Sequence, residues 1–130
     1  MTETSQQPDR IYHLAAESDW KDALEHGSYP GTPQDRADGF IHFSTAAQVA
    51  VSAAKHRAGR ADIVLVEASA AKLGDSLRWE PSRGGQLFPH LYGPLPISAV
   101  TRTWPLPLGD DGLHRFPTEV GATDGEGETH

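Results

Sequence analysis

Three histidines sit where an imidazole has to be justified. His13 lies in IYHLA, His42 in GFIHF and His90 in LFPHLYGPLP, aromatic or apolar segments in which a polar ring needs hydrogen-bond partners or a task. Near neutral pH such a ring can move a proton, hold a ligand or bind a metal. Taken singly, each fits a satisfied core histidine better than a functional one. Together they favour a shared pocket, provided the strands carrying His13 and His42 are neighbours and the proline-rich segment folds across them. His26 and His56 fall at helix ends, His114 in the C-terminal tail and His130 at the terminus, where solvent or a helix dipole accounts for them.

Glu80 is the carboxylate in the most suggestive setting. It follows Trp79, precedes Pro81 and shares its strand with Arg78, so it is placed to stand at the lip of an aromatic pocket. The alternative is a solvated strand-end acid paired with a surface arginine. Tyr12, Trp20, Trp79, Phe88 and Tyr92 read as core or pocket wall first and as stacking platforms second. Arg36 reads as a solvated loop side chain.

Other chemistries lack their residues. The chain has no cysteine, which excludes disulfides, thiolate metal sites and a cysteine nucleophile. No HxH, HExxH or carboxylate at ligand spacing supports a metal site, so none is expected. No serine lies in a G-x-S-x-G elbow, and Ser44 and Ser69 read as strand-to-helix punctuation. Neither a G-x-x-x-x-G-K phosphate loop nor GxGxxG is present.

The elements that must position these residues follow from periodicity. RIYHLA, 10–15, alternates Ile11 and His13 against Tyr12 and Leu14, a short strand. Ser18 is the expected cap of a short helix with a Trp20, Ala23, Leu24 stripe and a stop at Gly27. SYPGTPQDRAD, 28–38, has turn residues without periodicity and reads as an exposed loop bordering the site. GFIHF, 39–43, is a second alternating strand, with Phe40 and His42 on one face. Thr45 and Gln48 match a capping box for a helix to about Arg57, with Ala46, Val49, Ala50, Ala53 and Ala54 inward and Gln48, Ser52 and Lys55 outward.

Asp62 to Ala68 contains IVLV, a central strand buried on both faces. LRWE, 77–80, is a strand, SRGGQ a turn, and 87–96 an ordered, partly buried loop. Val100 to Leu106 makes a last strand, at an edge because of Pro105. Five strands and two main helices give an α+β domain.

The length of 130 residues suits one domain, 10–107, after a flexible 1–9. Of the net charge of −7, −5 falls in residues 108–130, an acidic, Gly-rich tail expected to be largely disordered, from about Gly121 onward in particular, although Leu113 and Phe116 are able to dock back. This balance opposes nucleic-acid binding. The N-terminus has neither a basic start nor an apolar core, and no apolar run nears the roughly 18 residues of a membrane span, so the expected location is the cytoplasm.

IYHLA, the Trp20 helix, DGFIHFST, IVLVE, LRWEP and above all LFPHLYGPLP resemble the bacterial family catalogued as domain of unknown function 952, from about Ile11 to Pro107. The resemblance implies a fold like that of the ADP-ribosyltransferases, a small, split and strongly bent, mostly antiparallel sheet that grips NAD in its cleft. It implies that His13 contacts a ribose or the nicotinamide amide, and that His42 and Ser44 line the same cleft. Cleaving the nicotinamide–ribose bond develops an oxocarbenium-like ribose, which calls for ribose hydrogen bonds and a nearby carboxylate. In that reading His13, His42 and Glu80 are catalytic, Phe88 or Tyr92 stacks on nicotinamide, Arg78 steers the pyrophosphate and His90 completes the binding wall. No cofactor is firmly implied; NAD enters as substrate or ligand.

Three hypotheses follow: a His-lined cleft that binds NAD or another nucleotide and transfers ADP-ribose or hydrolyses NAD; a non-catalytic small-ligand or protein-interaction module, with Leu95, Pro96 and Ile97 as apolar anchors; and a histidine-centred hydrolase or metal enzyme.

Overall fold

A computed structural model describes residues 8–120, the side chain of Arg83 excepted. The disorder expected from Gly121 onward, and the flexibility expected of residues 1–7, lie outside the described residues. In chain order the elements are β1 (Arg10–Ala16), α1 (Glu17–His26), β2 (Ser28–Tyr29), α2 (Pro33–Asp38), β3 (Ile41–His42), α3 (Ala46–His56), β4 (Ile63–Ser69), β5 (Leu77–Pro81), β6 (Leu87–Leu91), β7 (Leu95–Pro96) and β8 (Val100–Pro105), with short 3-10 turns between some of them. The class is α+β, and every strand pair is antiparallel.

Strand β4 is central in the order β1-β4-β8, as a continuous apolar run requires. One face of this sheet carries Tyr12, Leu14, Ile63 and Leu65 against Val49 and Ala53 of α3, joined by Leu106 and Val120. The other carries Ile11, Ala15, Val66 and Ala68 against Trp20, Ala23, Tyr29, Ile41, Phe43 and Leu91. Each fully buried aliphatic chain here contributes about 1.5–3 kcal/mol relative to an exposed one. The second sheet, β3-β6-β5, contributes Ile41, Leu91, Leu77 and Trp79 to that core from one face. Its other face, by strand alternation, carries Phe40, His42, Arg78, Glu80, Phe88, His90 and Tyr92.

The two sheets meet along the free side of β1. Tyr12 and Ser44 exchange two backbone hydrogen bonds of 2.8 Å, and beyond them β1 and β3 separate. The opening between these strands is where the site lies.

Several local expectations are corrected. Helix α1 begins at Glu17 and not after a Ser18 cap, because β1 runs paired up to Ala16 and the Glu17 N–H is taken by the Asp62 carbonyl. Leu24 is exposed and lies off the buried stripe. The stretch 28–38 is not an exposed loop: Tyr29 pairs with Leu95 in β2-β7, and 33–38 is helix α2. In α3 Ser52 faces inward and Ala50 and Ala54 outward. The segment 87–96 contains two strands: β6 pairs with β5 along its length and with β3 at Ile41 and His42, and Pro89, opposite the end of β3, accepts from the Phe43 N–H through its carbonyl. Leu95 is fully buried against Tyr29 and so is no surface anchor. His114 is buried as well, donating from Nε2 to the Arg60 carbonyl at 2.6 Å, while Phe116 packs on the second core.

Candidate functional site

The site is built around the exposed side of β3. The Phe43 N–H donates to the Pro89 carbonyl at 3.0 Å, so the adjoining cross-strand pair, His42 and His90, is the non-hydrogen-bonded kind. Such pairs bring Cα atoms to roughly 4.5 Å and set the two side chains together. The ring centroids lie 5.6 Å apart, edge to face, and Phe40 stacks on His90 at 4.1 Å. The backbone polar groups of His42 point away from β6, toward the gap beside β1. Side chains take the place of a ladder partner there: the His42 N–H donates to Asp35 Oδ1 at 3.1 Å, and the His42 carbonyl accepts from His13 Nδ1 at 2.7 Å.

That second bond determines the state of His13. A carbonyl only accepts, so Nδ1 carries the proton, and Nε2 accepts from the Tyr29 hydroxyl at 2.8 Å. Burial pushes the His13 pKa below its ordinary value, against the pull of the Asp35 charge. His13 is therefore a neutral, fully partnered ring that lines the cavity while bracing β3.

Asp35 is the carboxylate at the centre, and its position follows from helix α2. Thr32 caps the helix, Pro33 occupies its first turn, and Asp35 closes a capping box: its N–H donates to Thr32 Oγ1 at 3.0 Å and its Oδ2 accepts from the Thr32 N–H at 2.8 Å. Oδ1 accepts from both the backbone N–H and the ring Nδ1 of His42. Burial by itself would raise this carboxyl; the His42 hydrogen bond and the Thr32 and His42 N–H groups outweigh it and hold it at about 2. The Asp35 hydrogen bond raises the pKa of His42, against partial burial, and Asp38 adds to the rise with Oδ2 at 3.1 Å from Nε2. His42 thus sits between two carboxylates, one buried and one exposed.

A cavity of about 410 Å³ opens onto this network. Its lining includes His13, His42, Ser44, Phe88 and His90 of the expected site residues. Ser44 Oγ lies 3.1 Å from Ser52 Oγ, on the wall formed by α3. The other three expected residues stand on the flank. Glu80 accepts from His90 Nδ1 at 2.8 Å and from the Tyr92 hydroxyl at 2.7 Å, bonds that lower its pKa, and Arg78 lies 5.1 Å over the Tyr92 ring. None of these three lines the cavity.

Sequence reasoning missed Asp35, Asp38, Tyr29 and Arg57, and His56 was assigned only to a helix end. All but Tyr29 line the cavity. One signal for Asp35 was legible: Thr32-Pro33-x-Asp35 is a capping-box pattern with proline in the first turn. Arg36, read as solvated, donates to the Gly31 carbonyl at 2.9 Å. Among the described residues no group of three or more His, Asp or Glu side chains is arranged to hold a metal ion, and no helix is long and apolar enough to cross a membrane.

Comparisons with known proteins agree with one another. A family model described as Protein of unknown function (DUF952) matches residues 14–103. The X-ray crystal structure of protein CC0527 from Caulobacter crescentus is similar at 42% identity and a TM-score of 0.83, covering 86% of this chain and 98% of that one. The solution NMR structure of the same protein is similar at 45% identity and a TM-score of 0.73, covering 80% and 90%. No curated protein matches.

Proposed function

The chain belongs to the DUF952 family, and we propose that it binds a nucleotide in the cleft between β1 and β3, with NAD and ADP-ribose as the first candidates. One observation carries this reading: His42, its charge favoured by Asp35, stands on the wall of a cavity that Arg57 also lines. A volume of about 410 Å³ suits a small organic ligand. An ADP-ribosyltransferase-like relationship belongs to the same proposal; what supports it is a sheet divided beside β1 with polar groups in the division.

ADP-ribosyl transfer or NAD hydrolysis would draw on a carboxylate facing the ligand. Asp38, on the cavity wall, fits that place, whereas Glu80 is turned to His90 and Tyr92 and positions the ring. A second reading, a non-catalytic binding module, is favoured by the fact that both ring nitrogens of His13 and both of His42 already have protein partners.

The test is a residue-resolved NMR titration with NAD, ADP-ribose and nicotinamide at up to about millimolar concentration. Saturable shifts at Asp35, His42 and His90 are expected. Shifts at none of them would overturn the nucleotide reading, and binding of NAD without conversion would select the module.

A further inference from the structure

Resting on that ligand cleft, we infer that His42 and His90 are a general acid and a general base that open a phosphodiester of mononucleotide size, a nucleoside 2′,3′-cyclic phosphate. The geometry is that of a matched pair. The two rings are cross-strand neighbours 5.6 Å apart, and each has its Nδ1 held by a carboxylate, Asp35 for His42 and Glu80 for His90. A carboxylate on Nδ1 fixes the ring's orientation and tautomer and leaves Nε2 as the working atom. Nothing in a purely structural pair requires both buttresses. Asp38 meets the Nε2 of His42 from the cavity wall, and a phosphate oxygen replaces it when ligand binds.

The chemistry selects the bond. Nicotinamide leaves NAD as a neutral base, so an acid is superfluous there. A phosphate ester is different, because the entering water must lose a proton and the leaving alkoxide must gain one. In the step, the water oxygen attacks phosphorus while His90 Nε2 takes one water proton. The bond from phosphorus to one ribose oxygen breaks, its electron pair stays on that oxygen, and the His42 Nε2–H proton is transferred to it. One water is consumed and a nucleoside monophosphate leaves; His90 ends protonated and His42 neutral, and a proton exchanged through solvent resets them. Two carboxylates, Asp35 and Asp38, flank His42 where His90 has Glu80 alone, so the protonated ring is favoured at His42, which is assigned as the acid.

The surroundings fit this substrate. Arg57 supplies a cation for the phosphate and Phe88 an apolar wall for a base. A cavity of about 410 Å³ suits a small ligand, and a chain of net charge −7 disfavours a nucleic-acid polymer.

The test follows nucleoside 2′,3′-cyclic phosphates by 31P NMR with the full chain. Wild type is expected to convert them to the monophosphate. His90→Gln and His42→Gln should each lower the rate by about 100-fold or more, with product binding still visible by NMR shifts. His90→Gln leaves the Asp35 network untouched, so it carries the test if His42→Gln does not fold. Binding of the cyclic nucleotide without conversion, or conversion equal in wild type and His90→Gln, overturns the inference and leaves the nucleotide cleft standing. Absence of any nucleotide binding overturns both.

Discussion

Asp35 and His42, seven residues apart, are joined twice: one carboxylate oxygen accepts from both the backbone N–H and the ring Nδ1 of the histidine. The pair therefore fixes the strand and the imidazole together. Helix α2 exists largely to bring this carboxylate under β3, since four of its hydrogen bonds, two within the capping box and two to His42, converge on Asp35.

Removing that carboxylate should be costly. Asp35→Asn is expected to lower unfolding free energy by about 2–3 kcal/mol, the range for leaving charged hydrogen-bond partners unpaired where only the carboxylate side is buried. Asp38→Asn, at a half-exposed contact, should cost no more than about 1 kcal/mol. Urea unfolding of the two variants at pH 6 checks the contrast; equal losses would contradict the assignment of Asp35 as the central acid.

The same pair sets a pH window. Asp35 is held at about 2, below its ordinary value, so its stabilisation is present above about pH 4 and is lost as pH falls through 2. The shift corresponds to roughly 2 kcal/mol. His42 is raised, so its stabilisation is full below about pH 6.5 and is lost as pH rises through the raised value. His13 acts in the opposite sense: burial lowers its pKa, so its neutral, buried state costs stability as pH falls below about 6.5. Together the three groups place the stability maximum at about pH 6.5. In Asp35→Asn the alkaline slope should shrink, which denaturation curves at several pH values measure.

His13 should remain neutral as the Nδ1–H tautomer. Burial lowers its pKa, and its neighbours are arranged for that tautomer alone. At pH 6.5, where an ordinary histidine is half protonated, long-range 1H–15N spectra should show a neutral ring. An imidazolium signal there would refute the arrangement.

Tyr29→Phe tests the other end of that ring. It leaves the buried His13 Nε2 without its donor, at a cost of about 1–3 kcal/mol. A drop in Tm with an unchanged circular dichroism spectrum is the expected result.

Gly31 is required by the carboxylate it faces. Its φ is +96°, and an added Cβ would stand 2.8 Å from Asp35 Cβ and 3.1 Å from Ile41 Cγ1. Gly31→Ala should cost about 2–4 kcal/mol from left-handed strain and crowding together. It should also weaken the hold on His42, visible as a fall in the pKa of that ring by NMR titration.

The parts of this protein legible in its sequence are those governed by local periodicity. Alternation in GFIHF and LRWE already determines that Phe40 and His42, and Arg78 and Glu80, project to the faces they occupy, because successive residues of a strand point to opposite sides whatever the strand pairs with; the prolines of LFPHLYGPLP hide the strand that carries Phe88 and His90. The run IVLV determines a strand buried on both faces, and the Thr45–Gln48 spacing determines the start of α3. What periodicity does not contain is which segment lies opposite which. That His42 faces His90 across two strands, that β1 and β3 part beyond Tyr12 and Ser44, and that Glu80 spends its oxygens on His90 and Tyr92 depend on long-range pairing. The tertiary structure likewise decided that Asp35 is buried and His13 neutral. A carboxylate or an imidazole has no state of its own until burial and hydrogen-bond partners are in place, and those partners come from segments far apart in the chain.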